Sequence, residues 1–468
     1  MTGFPLVIGK EKKSIGRYWC FVENLQECSG EKGEVIMYFA LPVDHLGQRI
    51  ENIKIVPEPV DIIEDGVNGN RFIIWKSTGA KKDGPLVFYY DFDMYHSEVG
   101  GGIDLSRVEP YDISSQEYQR NIISEGWLDI SEDVKLKARE IVGAETNPCL
   151  RAKAIYNWLA ENLHYEYIEP AGRGATKTLK RLKGDCGEFS ALFVAMCRSL
   201  SIPARTVTCN WMPSGGHQWA EFLLPPFGWI PVDATSANSF RSDPGSAVCG
   251  MLKDLGGFSS SDPDWFFGNL YRDRIIVQIG ENVNLSSSKV GGSSPVFYVL
   301  QPGGQEAIPS AAEFRGFSRP AVQCGTYVFG DRREDEGYAR RKLCQSFGEG
   351  FLQAKAFDKA ANELAASLED NPKPGYTWYL LGEAQFGMKD YRAAISSYSR
   401  TISGSGGSLK PVWDAMAHYK AGNSYDILGE RAKAMEEYSK AQASGISFEN
   451  LQEKVSECLK KPYIETAG

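Results

Sequence analysis

The chain has 468 residues, of which 42% are hydrophobic and 24% are charged, as is typical of folded protein. Aromatic residues make up 12% of the chain, which argues against intrinsic disorder. The net charge of -9 argues against a general affinity for nucleic acid or anionic membranes, because both favour basic surfaces. A chain of this length has room for roughly two to four domains.

Targeting signals are not evident in the sequence. No stretch stays apolar over the roughly 18 residues of a transmembrane helix, and residues 1–13 lack the apolar core of a signal peptide. We therefore expect either a cytoplasmic protein or an exported one whose leader has been removed. The ten cysteines are scattered without a C-x-x-C pair, which argues against a structural zinc site.

Residues 1–105 are predicted to form an antiparallel β-sandwich. Short segments rich in β-branched and aromatic residues, separated by turn residues, lie at 35–41, 53–56, 72–75 and 86–90. After the glycine run at 100–102, apolar residues recur at helical spacing in 134–142 and 150–163. Mixed strands and loops follow, so residues 106–335 are predicted to be a central α+β domain that ends in a charged linker.

Residues 336–468 contain an internal repeat. The recurring small residues are Gly348, Gly382 and Gly422 in one helix and Ala360, Ala394 and Ala434 in the next. The first interval is 34 residues, and the second is 40 because six extra residues lie in the flexible stretch Ser403–Ser408. This helix-turn-helix period resembles tetratricopeptide repeats, in which stacking buries faces that no single repeat could bury. A plain helical bundle is the alternative.

One cysteine stands at the start of a predicted helix. Asp185 is a good N-cap, and Glu188 three residues later completes a capping-box pattern. The apolar residues that follow at helical spacing are Phe189, Leu192, Phe193, Met196 and Leu200. Cys186 therefore lies in a first helical turn, where free N–H groups and the helix dipole favour the nucleophilic thiolate. Cys197 lies in mid-helix and is predicted to be a core residue.

A histidine and an aspartate are predicted to meet across a hairpin. His217 begins a strand pattern that runs to residue 224, and residues 229–233 read as the return strand after a Pro-Pro turn. In an antiparallel pair of strands, the residue numbers of two facing residues always add up to the same value. For this turn the value is near 453, and the numbers of His217 and Asp233 add up to 450. A bulge or a small register shift makes them neighbours. An aspartate beside a histidine fixes its tautomer and stabilises the imidazolium.

Three sequence blocks in this order resemble the transglutaminase-like superfamily, which shares its catalytic arrangement with papain-type proteases. The blocks are 184–190 with 201–205, 216–221 and 228–235, and the resemblance covers about residues 106–285. It implies a papain-like fold with Cys186 as nucleophile, His217 as base and Asp233 as the partner of the histidine. It also implies an oxyanion hole made by the Cys186 N–H and an upstream side chain, for which Tyr165 is the candidate. Packing of Tyr165 against the helix is the alternative.

The resemblance implies acyl transfer through a thioester on peptide, isopeptide or side-chain amides, with hydrolysis favoured over crosslinking. No metal or organic cofactor is required. A protein or peptide substrate is expected, and the helical repeats are expected to bind a protein partner or to dock on the catalytic domain. One alternative is a catalytically silent transglutaminase-fold scaffold whose repeats bind a protein partner. Another is an amidase that acts on cell-wall peptides, which differs only in its substrate.

Overall fold

The structure is a computed structural model of the chain. It describes residues 9–23, 26–27, 33–66, 68–78, 86–168, 172–211, 216–242, 244–245, 249, 262–281, 283–284, 296–297, 310–315, 317–318, 321–330, 336–353, 355–369, 372–406, 410–446 and 450–464. Two compact units divide the chain. Unit 1 comprises Met1–Gly16, Glu27–Gly79 and Phe88–Ser318, and unit 2 comprises Arg17–Gln26, Ala80–Val87 and Arg319–Gly468. The three-domain division at residues 105 and 335 stays a prediction.

Strands dominate the first part of the chain and recur later. They are β1 Lys12–Glu23, β2 Gln26–Glu27, β3 Glu34–Ala40, β4 Gln48–Val56, β5 Asp61–Glu64, β6 Arg71–Thr78, β7 Leu86–His96, β8 His164–Tyr165, β9 Lys183–Gly184, β10 Ala204–Trp211, β11 Gly216–Leu224, β12 Gly228–Val232, β13 Arg274–Ile279, β14 Val283–Asn284, β15 Val296–Phe297, β16 Ser310–Arg315, β17 Phe317–Ser318 and β18 Ala321–Gly330. The four predicted strand segments of the first region coincide with β3, β4, β6 and β7.

Helices alternate with strands in the second part of unit 1 and follow one another in the later part of unit 2. They are α1 Gln116–Arg120, α2 Glu132–Val142, α3 Pro148–Asn162, α4 Ala175–Arg181, α5 Cys186–Ser199, α6 Ala234–Ser242, α7 Glu336–Gln353, α8 Phe357–Leu368, α9 Gly375–Gly387, α10 Tyr391–Ser403, α11 Lys410–Ile427, α12 Arg431–Ala443 and α13 Leu451–Lys460. Within the ranges given above, no helix is both long and apolar enough to span a bilayer.

The N-terminal β-region has the predicted antiparallel sheets. In one sheet β3 lies between β16 and β6, and β6 also pairs with β5. In the other, β4 pairs with β7. Trp75 of β6 stacks on Phe88 of β7 with ring centroids 5.0 Å apart, and Phe39 of β3 lies 5.2 Å from the same indole. These large rings fill the space between the sheets, as a sandwich requires.

The central region is a papain-like α+β arrangement built around α5. Strands β12, β11, β10 and β13 form an antiparallel sheet in that order, and α5 packs against β11. The sequence predicted one buried face for α5. The structure instead buries every residue from Cys186 to Arg198 except Gly187, because neighbouring helices cover the side away from the sheet. Helix α5 is therefore the central element of this core.

Two side-chain amides from the β-region bind the edge strand β13. Gln48 accepts from the Ile276 N–H at 2.8 Å and donates to the Ile276 carbonyl at 2.9 Å. Asn70 makes the same pair of bonds with Ile279, both at 2.7 Å. Because these amides pair with the backbone groups that an edge strand leaves open, they join the β-region to the central sheet and hold its register.

The C-terminal helices form the predicted tetratricopeptide-type array. Gly348 of α7 faces Leu364 of α8, and a Cβ on this glycine would lie 2.5 Å from that side chain. The next two helix pairs repeat the contact, with 2.5 Å between Gly382 and Tyr398 and 2.4 Å between Gly422 and Tyr438. Glycine is therefore required where the paired helices approach closely. This recurrence confirms the repeat register found in the sequence.

Candidate active site

Cys186 is the first residue of α5, and the predicted capping box is present. The Asp185 side chain accepts from the Gly187 N–H at 2.9 Å, and the Glu188 side chain accepts from the Asp185 N–H at 3.3 Å. Cys186 is 4% exposed, so it is a buried thiol at a helix N-terminus. The partly positive end of the helix favours negative charge on its sulfur.

A buried arginine holds the acidic pair that caps α5. Arg173 Nη2 lies 2.7 Å from Asp185 Oδ2, and its Nη1 lies 3.0 Å from Glu188 Oε2. The same Nη1 would lie 2.9 Å from a Cβ at position 187, so Gly187 leaves room for the guanidinium. No pattern in the sequence marks Arg173. The only available clue is that two buried carboxylates require a cation.

The capping carboxylates share one positive charge. Burial and the Asp185 carboxylate raise the pKa of Glu188 to about 8, against the opposing effect of Arg173. Glu188 and Asp185 are both almost fully buried, so the cost of a second uncompensated negative charge is high. Glu188 is therefore the carboxyl of this cap that holds a proton at neutral pH.

The hairpin brings His217 and Asp233 together, as the sequence predicted. Strands β11 and β12 are paired from Ala220 opposite Val232 to Leu224 opposite Gly228, and the residue numbers of each facing pair add up to 452. Strand β12 ends at Val232, and Asp233 departs from the ladder to begin α6. His217 Nε2 lies 2.8 Å from Asp233 Oδ2. The contact between His217 and Asp233 therefore forms beyond the end of the strand pairing, and the two residues do not face each other in the ladder.

Asp233 is fixed by the first turn of α6. The Ser236 N–H donates to Asp233 Oδ1 at 2.9 Å, and the Ser236 hydroxyl donates to Oδ2 at 2.7 Å. Burial raises the pKa of Asp233, but the charge and hydrogen bond of His217, with both bonds from Ser236, bring it below its usual value. The carboxylate is therefore ionised and pre-oriented. The sequence analysis did not identify Ser236.

The Cys186 thiol is hydrogen-bonded to His217. Since Nε2 of the ring faces Asp233, Nδ1 is the nitrogen left for the sulfur. Burial lowers the pKa of His217, but Asp233 and Cys186 raise it to about 10. The Ser190 hydroxyl bonds to the Cys186 carbonyl at 2.7 Å and to the Gln218 carbonyl at 3.2 Å, which ties the cysteine helix to the histidine strand.

Tyr165 lies near this cluster, on the two-residue strand β8. Strand β8 pairs in parallel with β9, and Tyr165 is opposite Gly184, two residues before Cys186. Burial, followed by Cys186 and Asp185, raises the pKa of the Tyr165 phenol. Tyr165 as a whole is 59% exposed, so the residue is also accessible from solvent. The role of Tyr165 as an oxyanion donor stays a prediction.

A second buried histidine–carboxylate pair lies on the same strand. His45 Nε2 is 2.6 Å from Glu221 Oε1, and Arg205 binds Oε2 at 3.0 Å. Arg205 also covers the Trp229 ring, at 3.8 Å from its centroid. This pair joins the β-region to the central sheet. In contrast to the first pair, an arginine holds its carboxylate.

Residues 135–234 match the family model described as the transglutaminase-like superfamily. These residues form a transglutaminase-like core. The match includes Cys186, His217 and Asp233, and it confirms the family resemblance found in the sequence. A superfamily match of this kind supports a cysteine-dependent enzyme in general terms. Among the described residues, no group of three or more His, Cys, Asp or Glu side chains is arranged to hold a metal ion.

Relatives of the chain are distant. A protein of Haemophilus influenzae named only as uncharacterized is 24% identical in an alignment of 247 residues. The match covers 45% of this chain and 66% of that protein, so the chain spans just under two thirds of the relative's length. A candidate cysteine protease from Cytophaga hutchinsonii is similar over 69% of this chain and 100% of its own, with 15% identity and a TM-score of 0.41. The N-terminal domain of stress-induced protein-1 from C. elegans is similar over 27% of this chain and 100% of its own, with 16% identity and a TM-score of 0.24.

Proposed function

We propose that the chain is a cysteine-dependent hydrolase of peptide or isopeptide amides. Cys186 is the nucleophile, His217 carries the proton, and Asp233 orients the histidine. One observation carries the proposal: a thiol at a helix N-terminus is hydrogen-bonded to a histidine whose other ring nitrogen lies 2.8 Å from a buried carboxylate. An activated nucleophile needs these three parts in this order.

In the acylation half-reaction, the Cys186 thiolate attacks the amide carbonyl carbon and forms a C–S bond. The carbonyl oxygen takes the negative charge, and the N–H of Cys186 with the hydroxyl of Tyr165 stabilises it. The imidazolium of His217 then gives its proton to the amide nitrogen. The C–N bond breaks, the amine leaves, and the substrate acyl group remains on the cysteine as a thioester.

In the second half-reaction, water attacks the thioester carbonyl while His217 accepts a proton from it. The tetrahedral intermediate collapses and breaks the C–S bond. A carboxylic acid leaves, and Cys186 returns to the thiolate beside the imidazolium. A primary amine in place of water would give a transamidated product by the same steps, so access of water to the thioester decides the outcome.

The helical repeats serve, in this proposal, to recruit a protein partner or substrate. Stacked helix pairs present an extended surface that a single domain of this size does not have. Loss of the repeats would then weaken action on a protein substrate and leave cleavage of small amides intact.

The pH dependence of iodoacetamide alkylation, with the labelled cysteine located by mass spectrometry, tests the site. Cys186 should be labelled preferentially well below pH 8, and His217→Ala should abolish that preference. His45→Ala is the matched control, because it removes a buried histidine–carboxylate pair elsewhere on the sheet. Labelling of Cys186 at the rate of the other cysteines would instead favour a silent scaffold.

The reaction itself is tested with a library of peptide and isopeptide amides in ¹⁸O-labelled water, with and without a primary amine. Hydrolysis places ¹⁸O in the new carboxyl group, and transamidation places the amine there. Both products should be absent with Cys186→Ala. Products that persist in this variant would refute the mechanism.

A further inference from the structure

The chain folds back on its own repeats after the last helix. Helix α13 ends at Lys460, and Lys461 is extended, with φ −143° and ψ 147°. Pro462 prevents continuation of the helix. Tyr463 then turns onto the array, while the next residue, Ile464, is 78% exposed. The direction of this segment, residues 461–464, is therefore set by the extended backbone and the proline.

Tyr463 binds helices α9 and α11 at the same time. Its ring centroid lies 6.5 Å from that of Phe386 on α9, and its backbone N–H donates to Asp426 Oδ2 on α11 at 2.8 Å. The Asp426 side chain is fully buried, and it also accepts from the Tyr438 hydroxyl at 2.9 Å and from Arg431 at 2.8 Å. The segment thus covers a buried carboxylate and supplies one of its donors.

A cation and a second carboxylate complete this surface. Lys420 Nζ lies 5.6 Å from the Phe386 centroid and 2.6 Å from Glu383 Oε2. Burial lowers the pKa of Lys420, but Glu383 raises it above its usual value, and Tyr463 contributes in the same direction. The tyrosine therefore lies close enough to Lys420 to share its electrostatic environment. An aromatic ring, a cation and a carboxylate that accepts from a main-chain N–H together suit an extended aromatic segment.

We propose that this surface, the tail site of Phe386, Lys420 and Asp426, binds an extended proline–aromatic segment of a partner protein, and that residues 461–464 compete for it. The contacts made by Tyr463, a main-chain hydrogen bond and an aromatic side chain, are contacts that a segment of another protein can make equally. The inference rests on the proposed role of the repeats in partner binding and is independent of catalysis. Residues 461–464 keep the tail site covered until a partner displaces them.

Fluorescence polarisation with the full chain tests the proposal. The probe is a labelled peptide with the sequence of residues 460–467, Lys-Lys-Pro-Tyr-Ile-Glu-Thr-Ala. Tyr463→Ala should bind the probe at least tenfold more tightly than the wild type, because the internal competitor is lost. Ile464→Ala, a substitution of the exposed neighbour, should behave as the wild type does. A probe in which alanine replaces the tyrosine should not bind.

Equal affinity of the Tyr463→Ala variant and the wild type would overturn the proposal, as would tight binding of the alanine probe. A second measurement needs no variant. Saturating probe should accelerate hydrogen exchange at the Tyr463 amide in the wild-type chain, and unchanged protection would also refute competition. Iodoacetamide labelling of Cys186 separates the hypothesis of cysteine-dependent catalysis from that of the tail site. A chain with an unreactive Cys186 would still bind the probe if the tail site exists.

Discussion

The Ser236 hydroxyl donates at 2.7 Å to Asp233 Oδ2, the carboxylate oxygen that also lies 2.8 Å from Nε2 of His217. The N–H of Ser236 holds the other oxygen at 2.9 Å. Both oxygens of Asp233 are therefore fixed by one residue of α6, and the carboxylate in turn sets the orientation of the imidazole. This makes Ser236 a positioning residue for the proposed Cys186–His217 pair.

Ser236→Ala should slow Cys186 alkylation at pH 7 about fivefold, which corresponds to the loss of a hydrogen bond of about 1 kcal/mol. The backbone bond to Asp233 stays, so the fold should be kept. Ser239→Ala is the control, because that hydroxyl lies on the same helix and bonds to the Thr235 carbonyl. The pH profile is recorded for both variants. Equal rates in the two would remove the positioning role of Ser236.

Asp233→Asn should lower the pKa of His217 from about 10 towards or below its ordinary value. The charge and hydrogen bond of Asp233 raise this pKa, whereas burial lowers it, so removing the charge leaves burial unopposed. The imidazolium that pairs with the thiolate would then be lost near neutral pH, and alkylation of Cys186 should shift to higher pH. NMR titration of the His217 ring measures the shift directly. An unchanged titration would contradict the role assigned to the carboxylate.

Local patterns in the sequence predicted the parts of the site that local geometry decides. The capping box of Asp185 and Glu188 follows from residue types three positions apart, and it is present. The hairpin sum predicted that His217 and Asp233 lie close together. The observed sum is 452 rather than 453, and the contact forms because Asp233 leaves the strand to cap the next helix. The spacing of the two residues in the sequence thus predicted that they are in contact, but it did not predict the geometry of the contact.

Contacts between distant segments were not predictable in this way. Arg173 reaches Asp185 from a separate loop, and no periodicity of the chain marks it. The hydrogen bond between Cys186 and His217 depends on packing of α5 against β11, which the sequence implied only through the family resemblance. Tyr463 lies 37 residues from Asp426, and an isolated tyrosine after a proline gives no signal. Tertiary packing decides such contacts.

Glu188→Gln should remove a pH dependence of stability. The pKa of Glu188 is about 8 in the folded chain and 4.5 as the ordinary value, so between these pH values the folded state holds a proton that the unfolded state lacks. The contribution of Glu188 to stability is therefore fully present below pH 4.5 and is lost as pH rises through 8. Glutamine cannot ionise and still serves in a capping box. Relative to the wild type, the variant should thus gain about 4 kcal/mol between pH 5 and pH 8.5.

Urea unfolding at pH 5, 6.5 and 8.5 measures this gain. Glu166→Gln is the control, because Glu166 pairs with Lys183 at an exposed position and its loss should change stability little at any of these pH values. Parallel stability curves for the Glu188 variant and the wild type would show that Glu188 holds no extra proton in the folded state.

Glu221→Gln should produce the opposite pH dependence. Burial raises the pKa of Glu221, but His45 and Arg205 lower it to about 2, below the ordinary value of 4.5. The carboxylate therefore stabilises the fold above pH 4.5, and this contribution is lost as pH falls through 2. At pH 6 the variant should be less stable than the wild type by about 3 kcal/mol, and the difference should shrink as pH falls from 4.5 towards 2. A constant difference across that range would mean that the variant acts through packing and not through the charge of Glu221.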